Sequence, residues 1–224
     1  MKDEIRLIEV KEGILSENDR LADELRSELS GKGTFLLNLM ASPGAGKTSL
    51  VLRTIEGLRD EYRIGVIEAD IDSMVDSEKV ADVGIPAVQL RTGGFCHLDA
   101  SMVRQGLDAL DVDALDCIII ENVGNLVCPA EFDTGAMKKA MILSVPEGDD
   151  KPHKYPLIFT VCDVLVVNKT DYMPLSDFNV ESLKERVLTL NPKMEILELS
   201  CRTAEGMDGW LRWLKKQIDA VEKP

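Results

Sequence analysis

Residues 41–48 read ASPGAGKT and place two glycines, a lysine and a hydroxyl where an apolar run, Phe35 to Met40, gives way to the helical periodicity of Thr48 to Leu58. In a strand-to-helix turn of this kind Gly44 and Gly46 let backbone N–H groups curl around phosphates. Lys47 reaches the β and γ oxygens, and the Thr48 hydroxyl takes a place on Mg²⁺. Ala45 and Ser49 belong to the same phosphate-holding group. Such loops usually begin with Gly where this chain has Ala41, so the turn is entered with a Cβ present. A second apolar run, Val164 to Val167, leads directly into Asn168-Lys169-Thr170-Asp171. The polar residues thus emerge at a strand's carboxyl end, where ligands bind in open α/β sheets. Asp171 is suited to accept hydrogen bonds from guanine N1–H and the 2-amino group, Lys169 to pack along the base and Asn168 to tie loops together. Adenine would leave the carboxylate unpaired, a loss of roughly 1.5–3 kcal/mol, so ATP is expected to bind about one to two powers of ten more weakly than GTP. Cys201 and Arg202, in a loop after a later strand, resemble the segment that offers backbone amides to guanine O6 in GTPases.

Groups that could sense a γ-phosphate follow the same rule. Glu121-Asn122-Val123-Gly124 comes after the CIII run where many GTPases have Asp-x-x-Gly, with Gly124 placed to offer its N–H. Asp70 ends an apolar stretch and is expected on Mg²⁺ or its water, and Asp72 and Asp76 follow. Asp70 ranks first and Asp76 second for orienting the attacking water. Two thiols and an imidazole, Cys96, His97 and Cys128, suit a borderline or soft ion such as Ni²⁺ or Zn²⁺. Two buried thiols beside a helix-capping histidine are the competing reading, and three ligands from one subunit would leave the shell open.

These residues need a scaffold, and apolar runs alternating with helical patterns predict an α/β fold with a mostly parallel sheet and crossover helices. Strands are expected near 34–40, 63–69, 87–91, 115–121, 139–145, 163–167 and 194–199. Helices are expected at 17–30, 46–59, 74–82, 98–110, 155–160, 179–189 and 206–220. Ser16 is placed to cap the first helix, whose leucines at 21, 25 and 29 form a stripe that must be covered, either by the chain's own domain or by a partner. Val145 to Pro156, with three prolines, is the most loop-like segment, and Trp210 and Trp213 read as core anchors. The 224 residues suit one GTPase domain at 31–224 after an amino-terminal segment at 1–30. A formal charge of −14 argues against nucleic acid and anionic membranes. No run approaches the ~18 apolar residues of a membrane span. Five cysteines favour metal ligands or buried thiols over disulfides and fit a cytoplasmic chain.

The runs LNLMASPGAGKTSL, ADIDSMVDSEKV, GFCHLDASMV, ENVGNLVCPAEFD, SVPEGDDKPHKYP and VVNKTD together resemble the HypB family, the nickel-inserting GTPases of [NiFe]-hydrogenase maturation, over roughly residues 30–215. The resemblance implies a three-layer, SIMIBI-class P-loop GTPase that forms a homodimer when GTP is bound and carries a metal between subunits on Cys96, His97 and Cys128. It also implies a HypA-like nickel-binding partner docking on the amino-terminal segment, and a hydrogenase large subunit or another nickel-enzyme precursor as recipient. The cysteine motif or histidine-rich tract that some members carry near the amino terminus is missing, and His97 and His153 are the chain's two histidines, so nickel storage is not expected. Since Gly124 and Cys128 share a loop, hydrolysis is expected to move a metal ligand. The absence of a glutamine or arginine clearly placed for phosphoryl transfer predicts slow intrinsic turnover. Lys151 or Lys154 is a candidate to reach a neighbouring subunit's nucleotide. The competing functions are a sister metallochaperone GTPase for another nickel or cobalamin enzyme, a P-loop kinase or ATP-dependent carrier, and a metal-binding P-loop scaffold without gating.

Overall fold

Seven strands and eight α-helices are seen among residues 10–70, 80 and 82–223, the part of the chain that the computed structural model describes. The strands are β1 (Phe35–Ala41), β2 (Ile64–Asp70), β3 (Ala87–Arg91), β4 (Cys117–Glu121), β5 (Lys138–Ser144), β6 (Val164–Asn168) and β7 (Glu195–Glu198). All pair in parallel in the order β3-β2-β4-β1-β5-β6-β7. The helices are α1 (Val10–Lys32), α2 (Lys47–Leu58), α3 (Ala100–Asp108), α4 (Cys128–Glu131), α5 (Lys151–Lys154), α6 (Pro156–Val161), α7 (Val180–Leu190) and α8 (Met207–Asp219). None of the described helices is long and apolar enough to cross a membrane.

β1 is buried at every position because it is central and covered on both faces, which is why its sequence is an apolar run rather than an alternation. Its side chains still divide by parity. Phe35, Leu37 and Leu39 pack with Leu50, Ile55, Trp210 and Leu214 of α2 and α8, whereas Leu36 joins Leu25, Leu29, Val103 and Leu107 of α1 and α3. Met40 meets Ile158 and Phe159 of α6 and Leu183 and Val187 of α7. The central position of β1 matters for the site. Its neighbours are β4, with Leu39 beside Glu121, and β5, with Ala41 beside Ile142. The loop leaving β1 therefore emerges between the loops that leave β4 and β5, at a switch point of the sheet.

Each expected strand is present within a few residues. Ser16 is not a cap: α1 already runs from Val10, and the Ser16 hydroxyl donates to Gly13 O at 3.0 Å inside it. Leu25 and Leu29 of the predicted stripe are buried against α3 and the sheet, and Leu21 is packed at their edge. The segment 145–156 is also more ordered than a loop. It holds a 3-10 turn at Val145–Glu147, then α5 and the start of α6, with Pro146, Pro152 and Pro156 in the first turns. Proline is tolerated there because a first-turn N–H has no helical partner. The helix expected at 74–82 lies outside the described residues except for Val80 and Asp82. Trp210 and Trp213 stack at 5.4 Å in the core, and Trp210 Nε1 donates to the buried Thr54 hydroxyl at 2.8 Å.

Candidate functional site

The turn from β1 to α2 passes through Gly44 and Gly46, both at positive φ. At Gly46 (φ 107°) a Cβ would also stand 2.4 Å from Asn168 Nδ2, so both backbone and space demand glycine. Asn168, the buried last residue of β6, spans two loops. Its Nδ2 donates to Ala45 O at 2.9 Å, and its Oδ1 accepts from Cys201 N at 3.2 Å and Lys169 N at 2.7 Å. Lys169 in turn donates from Nζ to Gly44 O at 2.7 Å. The phosphate loop is thus held from the base-reading side by two adjacent side chains, the loop-tying role expected of Asn168.

A cavity of about 320 Å³ opens between these loops, lined by Gly46, Ser49, Asn168, Lys169, Asp171, Cys201 and Arg202. Pro146 and Tyr172 line it too, and nothing in the sequence marked them. Asp171 is oriented by the buried Ser200, whose hydroxyl donates to Oδ1 at 2.6 Å and accepts from Thr203 N at 3.2 Å. The Arg202 guanidinium stands 3.6 Å from Asp171 Oδ2. Because the Cys201 N–H is directed to Asn168, Cys201 contributes as a wall of the pocket, and burial raises its thiol pKa to about 11.

At the phosphate end, Thr48 in the first turn of α2 donates from its hydroxyl to Glu121 Oε1 at 2.8 Å, joining the glycine-rich loop to the buried carboxylate that ends β4. Asp70 ends β2 on the same edge of the sheet, two residues past Glu68, which lies beside Glu121. Ser42 donates to Glu147, whose other oxygen accepts from Ser144 N at 2.8 Å and Ser144 Oγ at 2.7 Å. Glu147 was not anticipated as a support of the phosphate loop. Its proline-rich surroundings obscured the capping box that it forms with Ser144. Gly124 lies directly against the phosphate loop, where a Cβ would meet Pro43 Cγ at 3.0 Å and Pro43 N at 3.1 Å. Asp76 and Asp72 lie outside the described residues.

The segment that carries Gly124 continues to Cys128 at the start of α4, and there meets Cys96 and His97 from the loop between β3 and α3. The three ligand atoms lie within 4.8 Å of one another, with Cys96 Sγ 2.8 Å from Cys128 Sγ. A tetrahedral ion with metal–sulfur bonds of about 2.3 Å would set two sulfurs roughly 3.7 Å apart, so binding requires a sub-ångström to ångström-scale opening of the pair. His97 is clamped between aromatic rings, stacked on Phe132 at 3.9 Å and edge-on to Phe95 at 6.4 Å. Burial lowers the His97 pKa and so favours the neutral, ligating imidazole. The hydrogen bond with Cys128, aided by burial, raises the pKa of Cys96. Asn125 Nδ2 donates to Cys96 O at 3.3 Å, tying together the loops that carry Cys96 and Cys128. Cys117 and Cys162 are buried in the sheet core, where desolvation raises both thiols far above their ordinary range.

Residues 35–198 match the sequence family described as "CobW/HypB/UreG, nucleotide-binding domain". Among curated proteins, the hydrogenase maturation factor HypB of Azotobacter vinelandii is 46% identical over 212 residues, which cover 95% of this chain and 70% of that protein. The crystal structure of HypB from Archaeoglobus fulgidus aligns with a TM-score of 0.85 at 39% identity, covering 91% of this chain and 100% of that one. HypB from Helicobacter pylori, solved in complex with nickel, aligns at 0.86 and 34% identity, covering 92% and 98%. With its SIMIBI-class parallel sheet, glycine-rich loop after β1 and NKTD at the end of β6, the chain belongs to the CobW/HypB/UreG family of GTPases and, within it, to the HypB hydrogenase maturation factors.

Proposed function

We propose that this GTPase delivers nickel to a nickel-enzyme precursor, the large subunit of an [NiFe]-hydrogenase by preference, through a metal site whose affinity is set by the bound nucleotide. The observation that carries this reading is the continuity of one segment: Gly124 rests on Pro43 of the phosphate loop, Asn125 holds Cys96 O, and Cys128 stands 2.8 Å from Cys96 Sγ. A γ-phosphate that displaces Gly124 moves a metal ligand through a few bonds of backbone. A coupling of about 1–3 kcal/mol, or 5–150-fold in affinity, is enough to direct transfer.

In this reading Lys47 neutralises the β- and γ-phosphates, Asp171 selects guanine and Gly124 reports the γ-phosphate. The hard oxygen donors Thr48, Glu121 and Asp70 at one sheet edge fit Mg²⁺, which when bound would neutralise charge developing on the phosphates. The buried Glu121 presents its carboxylate to the Thr48 hydroxyl, so it positions the residue that would hold the ion. Asp70, with Asp76 as the second choice, orients the attacking water. Turnover is slow, because the sequence has no glutamine or arginine clearly placed for fast phosphoryl transfer. Cys96, His97 and Cys128 take Ni²⁺ as cargo, or Zn²⁺ in its place, and a second subunit bound in the GTP state completes the shell. The neutral imidazole and paired thiols suit both ions. A HypA-like partner hands over nickel at the amino-terminal segment 1–30, ahead of the GTPase domain at 31–224, and the work takes place in the cytoplasm.

The test is Ni²⁺ and Zn²⁺ affinity with sedimentation on one preparation, loaded in turn with GDP and a non-hydrolysable GTP analogue. Dimerisation confined to the analogue, with a several-fold shift in metal affinity, is the expected result. Equal affinity and equal mass in both states would overturn the gating.

A further inference from the structure

The carboxamide of Asn18 connects α1 to both loops that supply the metal ligands. Its Oδ1 accepts from Ala100 N at 2.9 Å, and Ala100 is where the chain carrying Cys96 and His97 enters α3. Its Nδ2 donates to Asp133 O at 2.9 Å, and Asp133 follows Phe132, the ring on which His97 stacks, at the end of the segment that begins with Cys128. Asn18 is 8% exposed although it lies on a surface helix. Farther along α1, Arg26 donates from Nη2 to Asp133 Oδ2 at 2.8 Å and from Nε to Ala136 O at 3.3 Å, which anchors the second loop independently of the first. Among these contacts, Asn18 alone bridges the two.

We infer that Asn18 is a positioning residue for the Cys96, His97 and Cys128 group, setting from the amino-terminal helix the separation of the two loops that bring the ligands together. The inference rests on the metal-site reading above. The chemistry requires a carboxamide, because one side-chain end must accept from a backbone N–H and donate to a backbone carbonyl. Aspartate in its place would keep the acceptor for Ala100 but set a carboxylate against Asp133 O. The two arms are therefore separable by mutation. Metal–ligand distances tolerate errors of only about 0.2 Å, so a loop displaced by a fraction of an ångström changes affinity. Groups that orient metal ligands typically contribute 10–100-fold to metal affinity, and a residue acting through backbone is expected at the lower end, about tenfold. A consequence is that the amino-terminal helix communicates with the metal site through the two hydrogen bonds of Asn18, with no hydrogen bond from α1 to any of the three ligands among the described residues.

The experiment titrates Ni²⁺ into the full chain, GDP-loaded, following the thiolate-to-metal absorption band. Wild type, Asn18→Ala, Asn18→Asp, Cys128→Ser and Leu25→Ala are compared, with Tm recorded for each. Leu25→Ala loosens α1 from the core without removing either hydrogen bond of Asn18, so it reports what lost stability alone does. Expected are about tenfold weaker Ni²⁺ binding for both Asn18 variants with a shifted or broadened band, and an unchanged band and affinity for Leu25→Ala. The inference is overturned if the Asn18 variants bind as wild type does, or if Leu25→Ala loses affinity as much for an equal fall in Tm. If Cys128→Ser also binds normally, the metal-site reading falls with it. If Cys128→Ser alone loses binding, that reading stands and only the role of Asn18 is rejected.

Discussion

Asp171 and Asp116 set the same side chain in two different surroundings, one lining a cavity and the other buried against an arginine. Asp171 lines the cavity and is held by Ser200, and in the proposed reading its two acceptors meet the two donors of guanine. Asp171→Asn replaces an acceptor by a donor. GTP affinity is expected to fall 10–100-fold while xanthosine triphosphate, which offers an acceptor at that edge, gains on it; competition against a fluorescent nucleotide measures both. Asp116, 5% exposed, accepts from Arg63 Nε at 3.0 Å, Arg63 Nη2 at 2.9 Å, Arg63 N at 2.8 Å and Lys223 Nζ at 2.9 Å. The Arg63 guanidinium, with Lys223 assisting, holds its carboxyl well below the ordinary carboxylate range. A lowered folded pKa means that the stabilisation is complete above the unfolded value near 3.9 and is lost as pH falls towards the folded one. Asp116→Asn is therefore expected to cost about 1.5 kcal/mol at neutral pH, since the exposed side of Arg63 is screened by water, and the difference from wild type is expected to shrink below about pH 4. Denaturant titrations at pH 7 and pH 3 check the sign.

At the scale of elements, the segment from β4 through Gly124 to α4 links the loop after β1 to the Cys96, His97 and Cys128 cluster, and α1 braces it. Gly124→Ala places a methyl 3.0–3.2 Å from Pro43 atoms, two of them backbone, so the phosphate loop or the segment must give way. A fall in GTP affinity together with loss of any nucleotide effect on metal binding is expected, and calorimetry of Ni²⁺ with each nucleotide bound tests it. α1 is a structural member of the core as well as an amino-terminal extension. Leu25→Ala removes a side chain 1% exposed and is expected to destabilise by about 2–5 kcal/mol, read as a shift in denaturation midpoint. The elements themselves were largely readable in advance. Apolar runs such as CIII and VLVV lie in β4 and β6 because a strand covered on both faces has no polar side to show. Ser16 has the chemistry of a cap but lies inside α1, since local chemistry does not reveal that the helix has already begun. The proline-rich stretch after β5 was read as a loop for the same kind of reason: proline breaks a helix interior but fits a first turn.

For the molecule as a whole, a formal charge of −14 means that two copies repel before any contact forms. The proposed dimerisation in the GTP state is expected to tighten as ionic strength rises from about 0.01 to 0.15 M, as the screening length drops from roughly 30 to 8 Å; sedimentation in a salt series decides it, and weakening with salt would point to paired charges at the interface. Neighbouring residues along the chain were sufficient to mark the glycine-rich loop after β1, the NKTD stretch after β6 and the parallel α/β class, because each depends on chemistry or periodicity within a short stretch. The meeting of Cys96 and His97 with Cys128, the support of Ser42 by Glu147, and the bridge from Asn18 to Ala100 and Asp133 depend on something else. They follow from the strand order, which sets β4 between β2 and β1 and β5 on the other flank of β1, and from the burial of α1 against α3. That order is decided by how whole apolar faces are covered. No stretch of the sequence contains it, and it brings the metal loops to the edge from which the phosphate loop emerges.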